Sequence, residues 1–122
     1  MLATKEAIDS ATPTQALRWA AEKGDYQTVR MLLIDKKANA NADYAAALRD
    51  AAKEGHLEIV RLLLENGANP FVLGSAPLKY AKERAAKFKT PEAREMVELL
   101  EERMNVIKEK HPDWEPPPSV LK

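Results

Sequence analysis

The chain repeats itself with a period of about 31 residues, and this periodicity constrains its fold more than any other feature. The segment 16–25 matches the segment 47–56, with Leu, Arg, two Ala and Gly in register. A third copy begins at Ala76, and an apolar run follows each copy. Periods of about 20–50 residues are typical of repeat architectures, in which neighbouring units stack and bury a continuous core.

Each repeat is predicted to form two α-helices. The first is short and rich in alanine, and Gly24 and Gly55 are placed to end it in the left-handed conformation that glycine favours. The second carries Ile, Val and Leu on one face, and Gly67 is placed to end the second helix of the central repeat. Thr-Pro pairs at Thr12 and Thr90 are typical of helix starts.

The third repeat differs from the other two. Roughly seven extra residues, 84–90, lie between its two helices. Its second helix is predicted over about 91–110, with one apolar stripe along its length. The end of that helix either caps the array or contacts a second copy of the chain through Met104 and Ile107.

The segment 48–70 resembles an ankyrin repeat almost throughout, and the segment 76–81 is similar to that family's T-P-L-H-x-A signature. The resemblance covers residues 12 to about 102. It implies an all-α, ankyrin-like α-solenoid of about three stacked helix-turn-helix repeats. The linkers 38–47 and 68–77 are about two residues shorter than the family pattern, so β-hairpin fingers are expected to be short or absent.

The repeats predict one domain over residues 1–110 and a separate tail. The predicted repeats are 12–43, 44–74 and 75–110. Residues 1–11 are expected to form an N-terminal cap, because the outer face of a terminal repeat meets water. The Pro-rich tail, 111–122, favours polyproline II. It is either an extended segment anchored by Trp114 or a short linear motif for a partner.

Composition argues against several classes of function. The 122 residues include 19 basic and 19 acidic side chains, so the net charge is zero and a general nucleic-acid binder is not expected. The chain has no cysteine, which excludes disulfides and thiolate metal sites and is compatible with a reducing cytoplasm. It shows neither a membrane-length apolar run nor a secretory signal. We therefore expect a cytoplasmic protein without a membrane partner.

The sequence contains no constellation of side chains typical of catalysis, of a cofactor site or of a metal site. The two histidines, His56 and His111, are far apart, and the four glycines lack the spacing of a phosphate-binding loop. His56 stands where the resemblance implies a histidine that orders the turn between helices. The chain is therefore predicted not to be an enzyme and to bind no cofactor.

Binding to another protein is the function that the resemblance implies, through a concave surface formed by the first helices and the fingers. Leucine and alanine of each first helix are expected to pack inward, so the positions between them face the partner. The predicted partner-binding residues are Trp19, Glu22, Lys23, Tyr44, Asp50, Lys53, Glu54, Phe71, Tyr80 and Arg84. Tryptophan and tyrosine are enriched at binding hot spots, so the aromatic members are expected to carry most of the energy.

The predicted function is a non-catalytic protein-binding module, acting as an adaptor or an inhibitor, and two alternatives stay open. One alternative is a regulator that binds a small ligand, a nucleotide or a polyanion through a row of basic residues at one repeat position, Arg18, Arg49 and Lys79. The same row could instead donate hydrogen bonds to finger carbonyls. The other alternative is a structural homodimer that assembles through the long last helix.

Overall fold

The computed structural model describes residues 12–110, which form six α-helices and no β-strand. The helices are α1 (Pro13–Lys23), α2 (Tyr26–Ile34), α3 (Ala42–Glu54), α4 (Leu57–Glu65), α5 (Val72–Phe88) and α6 (Pro91–Lys110). The all-α prediction is confirmed. The predicted N-terminal cap, 1–11, and the predicted tail, 111–122 with Trp114, lie outside the described residues.

The six helices stack in two layers. Helices α1, α3 and α5 pack side by side in one layer, and α2, α4 and α6 form the other. We call the solvent-facing side of α1, α3 and α5 the first-helix face. Within residues 12–110, none of the helices has the combination of length and apolar composition that crossing a membrane requires.

The helix starts predicted at Thr12 and Thr90 are confirmed. The Thr12 hydroxyl accepts a hydrogen bond from the Gln15 amide at 3.1 Å, and the Gln15 side chain accepts one from the Thr12 amide at 3.2 Å. The Thr90 hydroxyl accepts a hydrogen bond from the Ala93 amide at 3.2 Å. Each contact satisfies an amide that has no partner inside its helix, which fixes where α1 and α6 begin.

The core lies between the layers and is aliphatic. The inward positions predicted for α1 and α3 are all at most 2% exposed: Leu17, Ala20, Ala21, Leu48, Ala51 and Ala52. Alanine at these positions lets the backbones of neighbouring first helices approach closely, since the distance between packed helices depends on the side chains at the contact. The second helices supply larger side chains, among them Leu63 and Leu100, which are fully buried.

A left-handed turn at the start of α3, and another at the start of α5, take the place of the β-hairpin fingers. Residues 43–45 have φ between 52 and 56°, and residues 73–75 have φ between 49 and 67°. This conformation costs residues other than glycine roughly 1–2 kcal/mol each. The Arg49 guanidinium holds the first turn in place by donating hydrogen bonds to the carbonyls of Asp43 (3.0 Å) and Tyr44 (3.1 Å).

The extra residues of the third repeat lengthen its helices, which corrects the expectation that they form a connecting segment. Helix α5 ends at Phe88, four residues beyond the position equivalent to the end of α3. Helix α6 begins at Pro91, three residues before the position equivalent to the start of α4. The third helix pair therefore projects about one turn, roughly 5 Å, past the second.

Phe71, predicted to lie exposed on a finger, is buried instead. It is 2% exposed, and the Lys108 ammonium lies 5.8 Å from the centre of its ring. Because the end of α6 covers the segment before α5, Phe71 does not offer the exposed contact that was predicted. For the end of α6 two alternatives were open, a cap on the array or a contact with a second copy or a partner through Met104 and Ile107. Met104 is buried and Ile107 is half-buried, so Met104 offers no exposed contact.

We expect Leu63→Ala to lower the free energy of unfolding by about 2–5 kcal/mol, because the substitution removes buried surface and leaves a cavity in the central repeat. Ile34→Ala is the control, since Ile34 is exposed on α2 and its truncation removes little buried surface. Chemical denaturation followed by circular dichroism measures both variants. Equally small losses of unfolding free energy for the two variants would contradict the assignment of Leu63 to the core.

We expect Gly74→Ala to lower the free energy of unfolding by about 1 kcal/mol, because alanine is strained at the left-handed φ of 67° found there. Tyr44 holds the equivalent position at the start of α3 at φ 56°, and Tyr44→Gly relieves the same strain. The two variants are compared by chemical denaturation. A gain of about 0.4–1 kcal/mol for Gly74→Ala, typical of an ordinary φ, would contradict the left-handed turn.

Candidate functional site

Four of the ten predicted residues line one open cavity of about 280 Å³ at the carboxyl ends of α3 and α5. The full lining is Lys53, Glu54, Tyr80, Glu83, Arg84, Lys87 and Phe88. The cavity exists because α5 continues past the end of α3, so its last turn rises above the shorter helix. We call it the step cavity.

One side of α5 gives the step cavity its aromatic and cationic character. Tyr80, Arg84 and Phe88 are spaced i, i+4, i+8, which places them along the same helix face. The guanidinium carbon of Arg84 lies 4.6 Å from the centre of the Phe88 ring, and the Lys87 ammonium lies 5.3 Å from it. Cations are attracted to the electron-rich face of an aromatic ring. Phe88 nevertheless remains 49% exposed.

Arg84 also joins the third repeat to the second. Its Nη1 donates a hydrogen bond to the Lys53 carbonyl at 3.3 Å, at the end of α3. The guanidinium lies directly over Gly55, where a Cβ atom would collide with it. The position of Arg84 is therefore set by the backbone of the neighbouring repeat as well as by its own helix.

His56 has the equivalent role one repeat earlier. Its Nε2 donates a hydrogen bond to the Glu22 carbonyl at 3.0 Å, near the end of α1. Its ring covers Gly24, where a Cβ atom would lie 2.8 Å from Cε1. The predicted structural role of His56 is confirmed, and the turn that it orders belongs to the preceding repeat.

The repeat position that carries Tyr80 in α5 is occupied by Trp19 in α1 and Asp50 in α3. All three side chains are half-buried. Trp19 and Tyr80 pack against the core, so part of each ring is already used inside the fold. The structure therefore brings only the outer edges of these residues to the first-helix face.

Three further predicted residues lie away from the step cavity. Glu22 and Lys23 are exposed at the end of α1. Tyr44 is 50% exposed in the left-handed turn, at the opposite end of α3 from the cavity. The predicted residues thus spread along the whole first-helix face, with their densest group at the step cavity.

An ion-pair cluster occupies the first-helix face between α1 and α3. The Arg18 guanidinium contacts the Asp43 carboxylate at 3.0 Å and the Asp50 carboxylate at 3.4 Å. Burial raises the pKa of Asp50 above its ordinary value, and the nearby charges of Arg18 and Arg49 oppose that rise. Because burial is the larger effect, the charged form of Asp50 is less stable here than in water.

The basic row is largely engaged within the fold. Arg49 donates to the carbonyls of Asp43 and Tyr44, which confirms the predicted hydrogen bonds at this position. Arg18 pairs with carboxylates instead of carbonyls, so the same expectation is wrong for Arg18. Lys79, the third member, is exposed. Two of the three guanidinium or ammonium groups are thus already bound to protein oxygen atoms.

The predicted set lacks three residues of the step cavity, Glu83, Lys87 and Phe88. Lys87 and Phe88 lie in the stretch 84–90 that was interpreted as a connection between helices. The start signal at Thr90 limits that connection to very few residues, and the i, i+4 spacing from Tyr80 continues through Phe88. These two signals together indicate that α5 runs on to Phe88.

A family model described as ankyrin repeats (3 copies) matches residues 2–73 and 17–108. The chain belongs to the ankyrin repeat family. Ankyrin repeats are generally protein–protein interaction modules. No curated protein and no solved structure matched the chain.

The raised pKa of Asp50 predicts a pH dependence for the stability of this ankyrin array. Because the folded state binds the Asp50 proton more tightly than the unfolded chain does, stability falls as pH rises through the folded pKa. Asn cannot ionise, so the free energy of unfolding of Asp50→Asn relative to wild type should rise from about pH 4 upward.

Chemical denaturation of both proteins at a series of pH values measures this difference. Subtracting the wild-type free energy of unfolding from that of the variant at each pH removes the contribution of the other carboxylates. A change in contacts with Arg18 that does not depend on pH shifts this difference by a constant amount and gives it no slope. A difference that stays flat or falls with pH would contradict the raised pKa.

Proposed function

We propose that this ankyrin array is a non-catalytic module that binds a partner protein through its first-helix face, as an adaptor or an inhibitor. The step cavity carries the proposal, since it combines two aromatic side chains, Tyr80 and Phe88, with Arg84 on an open surface. Tyrosine, other aromatic residues and arginine are enriched in protein interfaces, and tyrosine and arginine dominate their hot spots.

The wider contact surface in this proposal extends from the step cavity to the left-handed turn at the start of α3. It comprises Trp19, Glu22, Lys23, Tyr44, Asp50, Lys53, Glu54, Tyr80 and Arg84, together with Lys87 and Phe88. Phe71 is left out because it is buried. A surface of exposed aromatic and charged side chains on closely packed helices suits a rigid protein contact, because little conformational entropy is lost on binding.

The shape of the step cavity favours binding over catalysis. The cavity is open to solvent, and its lining side chains remain in contact with water. Catalysis requires groups that converge in a site from which water is excluded. The cysteine-free sequence supports the further proposal that binding takes place in the reducing cytoplasm.

Affinity capture from native lysate with quantitative mass spectrometry tests the proposal. Phe88→Ala and Tyr44→Ala truncate exposed side chains at opposite ends of the first-helix face, so both variants should keep the fold. We expect each to weaken capture of the same proteins by about 5- to 150-fold, which corresponds to about 1–3 kcal/mol.

Tyr26→Ala is the matched control, because Tyr26 is an exposed tyrosine on α2 in the other layer. Proteins captured by wild type should be retained by this variant. Loss of capture with Tyr26→Ala, with retention in Phe88→Ala and Tyr44→Ala, would assign the contact to the second layer and overturn the proposal.

A further inference from the structure

We infer that the step cavity binds a linear segment of a partner protein in which an acidic side chain stands next to a large apolar one. The inference rests on the proposed function and names the chemistry of the partner. Its basis is the combination of an excess of positive side chains, a positioned guanidinium and an exposed aromatic ring within one small cavity.

The charges of the cavity favour an anionic group. Lys53, Arg84 and Lys87 outnumber Glu54 and Glu83 among the lining residues. Within residues 12–110, none of these five side chains forms an ion pair, because the ion pairs there involve other residues. The cavity therefore carries a small positive charge that is not neutralised by its own side chains.

Arg84 is held in place before any partner arrives. One N–H of its guanidinium donates to the Lys53 carbonyl, and its plane lies beside the Phe88 ring. A guanidinium has five N–H donors in a fixed planar fork, so donors remain for a carboxylate. Because the group is already oriented, little side-chain entropy is lost when the carboxylate binds.

Phe88 supplies the apolar half of the recognition. It is 49% exposed, on the same helix face as Tyr80 and Arg84. An apolar side chain adjacent to the bound carboxylate would cover this ring and remove both surfaces from water. Because Arg84 and Phe88 are adjacent, the acidic and apolar residues of the segment that bind them must also be adjacent.

The chemistry and size of the cavity favour a protein segment over other ligands. Glu54 and Glu83 are part of the lining, and their negative charges repel a phosphate polymer more strongly than a single carboxylate, because the polymer carries several charges. Pockets for small molecules measure about 300–1,000 Å³ and enclose most of the ligand. This cavity, of about 280 Å³ and open to solvent, suits part of a longer chain that continues along the surface.

Selection of a random-peptide phage library on the intact protein tests the inference. We expect the enriched peptides to share Asp or Glu next to a large apolar residue. Synthetic copies are then titrated by fluorescence anisotropy against wild type and variants whose fold is checked by circular dichroism. Lys87→Glu should weaken binding about tenfold or more, since it places a negative charge beside the bound carboxylate.

A matched pair of variants separates local recognition from overall charge. Lys89→Glu makes the same change two residues further on, outside the cavity lining, and should change affinity less than about threefold because exposed charges are screened by water and salt. Phe88→Ala should lower the affinity for the peptides by about fivefold or more, because their apolar residue loses its contact with the ring.

The phage selection and the titrations can overturn the inference. It is overturned by enriched peptides without the acidic and apolar pair, by equal losses with Lys87→Glu and Lys89→Glu, or by no enrichment at all. Binding of a short single-stranded oligonucleotide that Lys87→Glu abolishes would likewise assign the cavity to nucleic acid. Peptides that depend on Tyr44 but not on Lys87 or Phe88 would overturn the inference and leave the proposed first-helix face standing.

Discussion

The close approach of the alanine-rich first helices is the constraint on which the rest of the structure depends. Alanine at the inward positions of α1 and α3 brings neighbouring backbones together, and these positions are essentially inaccessible to water. At that distance the carboxyl end of one first helix lies within reach of side chains from the next repeat. His56 and Arg84 use this proximity to donate to the carbonyls of Glu22 and Lys53. Packing in the core and hydrogen bonding at the surface are therefore two consequences of one spacing.

The third repeat departs from this pattern, and the departure creates the site. Where the first two repeats turn sharply after Gly24 and Gly55, the third continues its helix for another turn. A histidine at the turn is replaced by Arg84 from within the helix, which covers Gly55 in the same way. The prolonged helix extends past the end of α3, which no longer covers its last residues, and Phe88 stays 49% exposed. The insertion thus preserves the stacking of α5 on α3 along the length of α3 and leaves the step cavity where α5 extends past it.

The features that the sequence predicts correctly are those encoded by neighbouring residues or by the repeat itself. The caps at Thr12 and Thr90 and the inward alanines follow from local spacing, and the period places the helix pairs. The burial of Phe71 could not be predicted in the same way, since it depends on where the end of α6 packs. The left-handed turn at 43–45 also gave no local signal, because Asp, Tyr and Ala do not favour positive φ. Lys87 and Phe88 were missed because the insertion was assumed to break the helix.

The left-handed turns at the start of α3 and of α5 limit how another chain can associate with this one. A hairpin would offer edge strands with unpaired amides and carbonyls, which are templates for pairing with a further strand. Across residues 12–110 the chain has no such edge, and the Arg49 side chain occupies two of the carbonyls in the first turn. Strand addition is therefore closed to a partner over this part of the protein. Recognition has to proceed through side chains, so it depends on the partner's amino-acid sequence and not on its ability to adopt an extended backbone.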